Sequence, residues 1–565
     1  MLAIHDASFP AGSVDVGRGT PYSDAGHAFF RFVHDLGFTG VQLGPQGETS
    51  RVNPSPYDAT LFSRSTMALS LPPLADERVP ASACVRADHE GSWDRQAHRI
   101  DAAFTSHHAD DAVLDFVRHA GPWLERDGRF VELATDLGTT DWQRWSKESE
   151  TQAPTAAARR ARARYEYAQW LAHVAHEALR GFLSARGMRL WGDVQIGVSH
   201  QDRWALRSLF LDGYLLGAPP SRTTPDGQPW GFPVLDPAQY DGAVGDFIEA
   251  RIGKMLAEYD GLRIDHPHGL IDPWVYRVDE RCDALAAVNG GARLFSSPDL
   301  PDHPRLSAFA IARAEQLDRT QTRYADGWVT ALDGAQIGKY ARLIDRVVDR
   351  VRHSHRRIDD QLCEILSTLP YPLRCVLARE GFGRMVVTQK ARLDTPADVY
   401  RIENATRADW VMVGDHDTPP IWRVVEEWCG AGRHLAHAEY LAERLEPVRA
   451  TRPALAAQFA SSTSALATAM FAALLASKAT SVSIFFTDLL GMRELYNVPG
   501  LVASSNWQLR VPLDYEPLYL QRLACAEGPQ ALDLMGAIDL ALHAKGISDP
   551  DLVAAVRAHR PCVES

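Results

Sequence analysis

Three acidic residues carry the chemistry that this sequence can be read for. Asp265 closes the run Gly261-Leu-Arg-Ile-Asp, where strand alternation puts Arg263 and Asp265 on one face and Ile264 on the other. Glu380 closes Arg374-Cys-Val-Leu-Ala-Arg-Glu, which reads as another strand, and Gly381-Phe382-Gly383 after it reads as a tight turn. Asp417 closes Asp409-Trp-Val-Met-Val-Gly-Asp-His-Asp, and Thr418-Pro419-Pro420 then takes the chain abruptly out of the strand. One aspartate at a strand end is ordinarily a turn former. Three acids at three strand ends, one beside an arginine that would hold it ionised, suggest more. Cleavage of a glycosidic bond needs such a set. One carboxylate stays charged and attacks or shields the anomeric carbon, and a protonated partner donates to the leaving oxygen. A retaining enzyme holds the two roughly 5–5.5 Å apart and forms a covalent glycosyl-enzyme. A third carboxylate can grip the hydroxyls that orient the ring.

Competing chemistries find less support. His266 and His268 flank Pro267 without the spacing of a known ligand motif, so no metal site is expected. His107, His108, His353 and His355 sit in polar helical surroundings and read as solvated. Arg379-Glu-Gly-Phe-Gly-Arg is too short to cradle a phosphate, and no Gly-x-Ser-x-Gly elbow occurs. Carboxyl chemistry needs no organic cofactor, and none is expected.

The elements that must position these acids alternate between strand and helix. Residues 40–45, 189–198, 259–265, 374–380, 409–417 and 481–488 are short runs rich in Val, Ile, Leu or aromatics. Helical spacing lies between them, first in 25–38 with Phe29, Phe30, Phe32 and Val33 on one side. Strands separated by helices pair in parallel, as a barrel or as an open doubly wound sheet. In a closed barrel the carboxyl ends of the strands converge on one catalytic face. Residues 85–188 read as a largely helical insertion that returns to the barrel, with Tyr167 and Trp170 on an apolar stripe that packs as core. Residues 199–258 read as the region around the mouth of the site.

With 565 residues the chain has room for one large enzyme domain with insertions. Its 14 Trp and 16 Tyr suit sugar faces as well as core packing. A net charge of −13 with no basic cluster argues against nucleic acid. Seven scattered cysteines without a C-x-x-C suggest reduced thiols, and no basic-then-apolar leader opens the chain. The apolar stretch 464–476 is too short to span a bilayer. The expectation is a cytoplasmic protein without membrane contact, of open oligomeric state.

Gly-Leu-Arg-Ile-Asp-His-Pro-His-Gly (261–269), Arg-Glu-Gly-Phe-Gly (379–383) and Gly-Asp-His-Asp-Thr (414–418) together resemble the three catalytic segments of glycoside hydrolase family 77, the 4-α-glucanotransferases. The likeness extends to 43–59, 189–198, 217–233, 487–491 and 497–510. It implies an α/β fold, a (β/α)8 TIM barrel with mainly helical insertions, forming one catalytic domain over 1–565. It also implies transfer of α-1,4-glucan segments between maltooligosaccharides. Asp265 would be the nucleophile, Glu380 the acid/base and Asp417 the transition-state stabiliser. Tyr57, Arg263, His266, His416, Trp230 and Asn506 would contact substrate. An amylase-type α-glucan hydrolase and a non-catalytic glucan-binding protein are the alternatives. The chain departs from the family pattern at Pro267-His268 and at Ser221-Arg222-Thr223, where aromatic surface at the mouth is lost and acceptor handling should change.

Overall fold

In the computed structural model the strands that carry the site are short and apolar because both their faces are covered. The structure describes all residues except 11, 13, 75–87, 109, 223, 278–282, 501, 502, 504, 526, 527 and 559–565. Eight parallel strands run in chain order as β1 (Leu2–Ile4), β2 (Gly40–Leu43), β3 (Arg189–Val194), β4 (Gly261–Ile264), β5 (Gln361–Cys363), β6 (Met385–Val387), β7 (Trp410–Met412) and β8. The last is a split strand, Ser481–Val482 continued by Ile484–Phe485. Its second half pairs with β1 and opens a six-stranded ladder that ends at β5. Its first half pairs with β7, which pairs with β6. The result is a β/α barrel whose ladder does not close. Between β5 and β6 the backbone contact is Met385 N donating to Ile365 O at 3.3 Å.

Helices pack around this ring because each buries one apolar stripe against it. Asp24–Asp35 starts where the Ser23 hydroxyl accepts from Gly26 N, and it buries Phe29, Phe30 and Val33. Gly334–His353 starts in a reciprocal cap between Asp333 and Gln336. Ala243–Glu258 joins β3 to β4. After β2 come the helices His89–His107, Asp111–His119, Pro122–Leu137, Lys147–Thr151 and Ala156–Ser184. Within them Tyr167 is buried and Trp170 packs against it, with ring centroids 5.7 Å apart. Residues 85–87, at the start of the expected insertion, lie outside the described residues, as do Thr223, Cys84, Cys282 and Cys562.

Two features differ from the sequence reading. Residues 374–380 are not a strand but the last part of the helix Tyr371–Glu380. Leu373, Val376 and Leu377 are buried on a helical spacing, Pro372 sits in the first turn, and Gly381, at φ 76°, ends the helix in the left-handed region. The region around the mouth contains a sheet as well as helices. Phe210–Ala218 and Gln228–Leu235 form an antiparallel hairpin, extended by Trp274–Tyr276 and Ala292–Arg293 into a four-stranded sheet. No helix among the described residues is long and apolar enough to cross a membrane.

Candidate active site

The carboxyl ends of β3, β4 and β5 bring three acids to one guanidinium. Asp193 and Arg263 face each other in register across β3 and β4, and both are buried. Arg263 Nη1 lies 2.9 and 2.8 Å from the two Asp193 oxygens and 3.2 Å from Asp265 Oδ1. Its Nη2 lies 3.0 Å from Oε1 of Glu364, the residue after β5. Asp265 Oδ2 accepts from Ile196 N at 3.0 Å. Arg263 therefore fixes three carboxylates at once, in a place where water screens little.

His266 completes the cluster. Its backbone is left-handed, φ 43°, a conformation that costs a non-glycine residue energy. That turn puts Nδ1 2.9 Å from Glu364 Oε2 and 3.4 Å from Asp265 Oδ1. Burial disfavours the charged imidazole but is outweighed by Glu364 and Asp265, and the His266 pKa is pushed up to about 10. Burial likewise raises Asp265, yet Arg263 and His266 together hold its carboxyl well below the usual carboxylate range. Ligand atoms of Asp265, His266 and Glu364 lie within 4.8 Å of one another. This donor set does not suit a metal ion well, because Arg263 already occupies both carboxylates and the imidazole carries a proton at neutral pH.

Asp417 follows β7, beside His416, and both it and Glu364 act on the charge of Lys390. Asp417 Oδ1 accepts from Asn497 Nδ2 at 2.6 Å, and its backbone N donates to Asp415 Oδ1 at 3.0 Å. An aromatic wall joins the two sides. Tyr57, on the short helix Pro56–Asp58, donates its hydroxyl to Asp193 Oδ2 at 2.9 Å and stacks on His416 with centroids 5.2 Å apart. Trp507 packs against both rings, 5.5 Å from Tyr57 and 5.6 Å from His416. Trp230 meets His266 edge to face at 4.6 Å. Behind this wall lies a small cleft lined by His5, Arg18, Thr49, Ser65, Tyr496 and Trp507. Both ring nitrogens of His5, Arg18 Nε, Thr49 Oγ1 and Ser65 Oγ make no hydrogen bond within the protein.

Of the residues singled out by sequence, Asp265, Arg263, His266, Tyr57, His416, Trp230 and Asp417 meet here. Glu380 does not. It ends a helix that runs antiparallel to the strands, which puts it at the opposite face of the barrel. There it pairs with Arg379 at 2.6 Å and faces Arg352 at 3.6 Å. Asn506 is buried and bonds to the backbone of Val498 at 3.3 and 3.4 Å, bracing the loop that carries Asn497 and Trp507. Glu364 escaped the sequence reading, and Asp193, Asn497 and Trp507, though inside the family-like segments 189–198 and 497–510, were given no role there. The signal for Glu364 was an acid directly after the short apolar run Leu362-Cys363, and for Asp193 a charge inside an apolar strand.

The profile of the family described as 4-alpha-glucanotransferase matches residues 8–514. The chain belongs to glycoside hydrolase family 77. Curated family 77 relatives include the 4-alpha-glucanotransferase of Aquifex aeolicus, 24% identical over 313 residues, covering 51% of this chain and 62% of that one. The Thermus thermophilus enzyme is 28% identical over 303 residues, 48% of this chain and 59% of the relative. The chain thus spans about three-fifths of the length of these relatives. Among solved structures, amylomaltase from Streptococcus agalactiae in complex with acarbose superposes with a TM-score of 0.68 at 18% identity, covering 97% of this chain and 98% of that one. Amylomaltase from Corynebacterium glutamicum superposes at 0.62 with 15% identity, covering 99% and 74%. These two likenesses establish the family 77 barrel fold.

Proposed function

We propose that the protein is a retaining 4-α-glucanotransferase in which Asp265 is the nucleophile, Glu364 the acid/base and Asp417 the transition-state stabiliser. The observation that carries this reading is the placement of Asp265 and Glu364 directly after two adjacent strands, both buried on Arg263 and close enough to act on one glycosidic bond, as the carboxyl pair of a retaining mechanism must. Arg263 and His266 keep Asp265 anionic and ready to attack. Glu364, handed a proton by the His266 imidazolium 2.9 Å away, passes it to the departing saccharide as Asp265 bonds to the anomeric carbon and the glycosidic C–O bond breaks. Glu364 then takes the proton from the 4-hydroxyl of an acceptor, whose oxygen displaces Asp265. Asp417, aimed by Asn497, holds ring hydroxyls of the reacting sugar. The Streptococcus agalactiae amylomaltase is solved in complex with acarbose, which supports a sugar-like ligand for this chain. Maltooligosaccharides and α-1,4-glucans are the expected substrates, and no step calls on a cofactor.

Incubation with maltotriose tests the reading. Glucose together with maltodextrins longer than the substrate is expected, and Asp265→Asn should abolish both. Maltose and glucose alone would instead identify a hydrolase. Bound maltodextrin without any product would identify a binding protein.

A further inference from the structure

The hairpin Phe210–Ala218/Gln228–Leu235 touches the barrel mouth on both sides of β5. On one side Trp230 packs against His266, which follows β4. On the other side Arg222, in the turn of the hairpin, pairs with the carboxylate of Asp398 and donates Nη2 to Lys390 O at 3.1 Å. Asp398 and Lys390 both follow β6. The Arg222 guanidinium also lies over the buried ring of Tyr400, 5.0 Å from its centroid. The partner is fixed in its turn, because Asp398 Oδ1 accepts from Tyr400 N at 3.0 Å and leaves Oδ2 for Arg222. Asp398 is 3% exposed in its side chain and Arg222 21%, so solvent does little to loosen the pair. The hairpin therefore crosses the end of β5, where Glu364 stands, and spans the seam at which the barrel ladder is open.

We propose that Arg222, through Asp398, is a specificity-determining positioning residue that holds this hairpin as a roof over Glu364. The inference rests on the transferase reading above. Whatever leaves from or attacks the reacting sugar must touch Glu364, so it must lie beneath the roof. A fixed roof favours a bound saccharide acceptor over free water by lowering the cost of ordering the acceptor and by excluding competing solvent. At the turn of the hairpin the roof is held by the Arg222–Asp398 ion pair and by the guanidinium lying over the Tyr400 ring.

The test uses the full chain with maltotriose as donor and glucose as acceptor. Arg222→Ala should raise KM for glucose roughly 10-fold and the hydrolysed fraction by a similar factor, with kcat at saturating glucose within about twofold of wild type. Asp398→Asn keeps an oxygen for Tyr400 N but removes the charge, and it should reproduce the same split. Arg222→Lys should recover part of the lost acceptor affinity. The proposal is overturned if Arg222→Ala and Asp398→Asn, folded by circular dichroism, retain wild-type glucose KM and hydrolysed fraction. It is equally overturned if kcat falls while KM holds. A wild type that forms no longer maltodextrins overturns the transferase reading itself, and the inference with it.

Discussion

Glu364 and Glu380 bracket one strand-to-helix unit of the barrel and end at its two opposite faces. Both are acids with arginine neighbours, and both stand at the end of a short element. Glu364 shares Arg263 with two further carboxylates and has a charged imidazole 2.9 Å away. Glu380 pairs with Arg379 and faces Arg352, and Arg379 also holds Asp345, in an ion-pair network between two helices. A shared arginine and a second acid are common to both, and what sets Glu364 apart is its place at the carboxyl ends of the strands, buried beside Asp265.

Exchanging side chains sharpens that contrast, and the largest effect should come first. Glu364→Gln should lower kcat for maltotriose disproportionation by about 10³-fold or more, within the range that a general acid contributes. Activity surviving in that variant and lost in Glu380→Gln would reverse the comparison. Asn497→Ala should cost roughly 10–100-fold in kcat/KM, because Asp417 loses the amide that aims it. His266 supplies a pH-dependent test. Its folded pKa of about 10 exceeds the ordinary 6.5, so the stability it contributes is fully present below about pH 6.5 and is lost as pH rises through about 10. Thermal melts of wild type and His266→Asn should differ most at neutral pH and below, and converge above pH 10. Glu380→Gln should have the smallest effect, with activity within about twofold and a stability loss of the order of 1 kcal/mol or less, as for a partly solvated ion pair.

Much of the architecture was legible because it is periodic. Alternation placed Arg263 and Asp265 on one face, and helical spacing found Asp24–Asp35 and the helices after β2. The exchange of Glu364 for Glu380 has a physical origin. β5 has three residues, too few to show a period, whereas the glutamate-glycine pair at 380–381 looks like a strand leaving for a turn. It is a helix C-terminus instead, where glycine serves the left-handed residue. The spacing of Leu373, Val376 and Leu377 carried that information and outweighs the turn signal. Asp193 was hidden for another reason. Its partner is 70 residues away, and only the β3–β4 register sets them opposite each other. The hairpin over the mouth was not legible as a sheet, since its pairing shifts register twice.

The split in β8 has a mechanical consequence. The barrel is two plates that share this strand, one ending at β5 and one at β6, with Ser483 as the joint between them. Asp265 and Glu364 ride on the first plate, and Asp417 rides on the second. A small rotation about Ser483 would therefore leave the spacing of nucleophile and acid unchanged while altering the gap across which Asp417 grips the sugar. The margins of the plates meet at β5 and β6, farthest from that joint, where Met385 N donates to Ile365 O and the Arg222–Asp398 tie adds a second link.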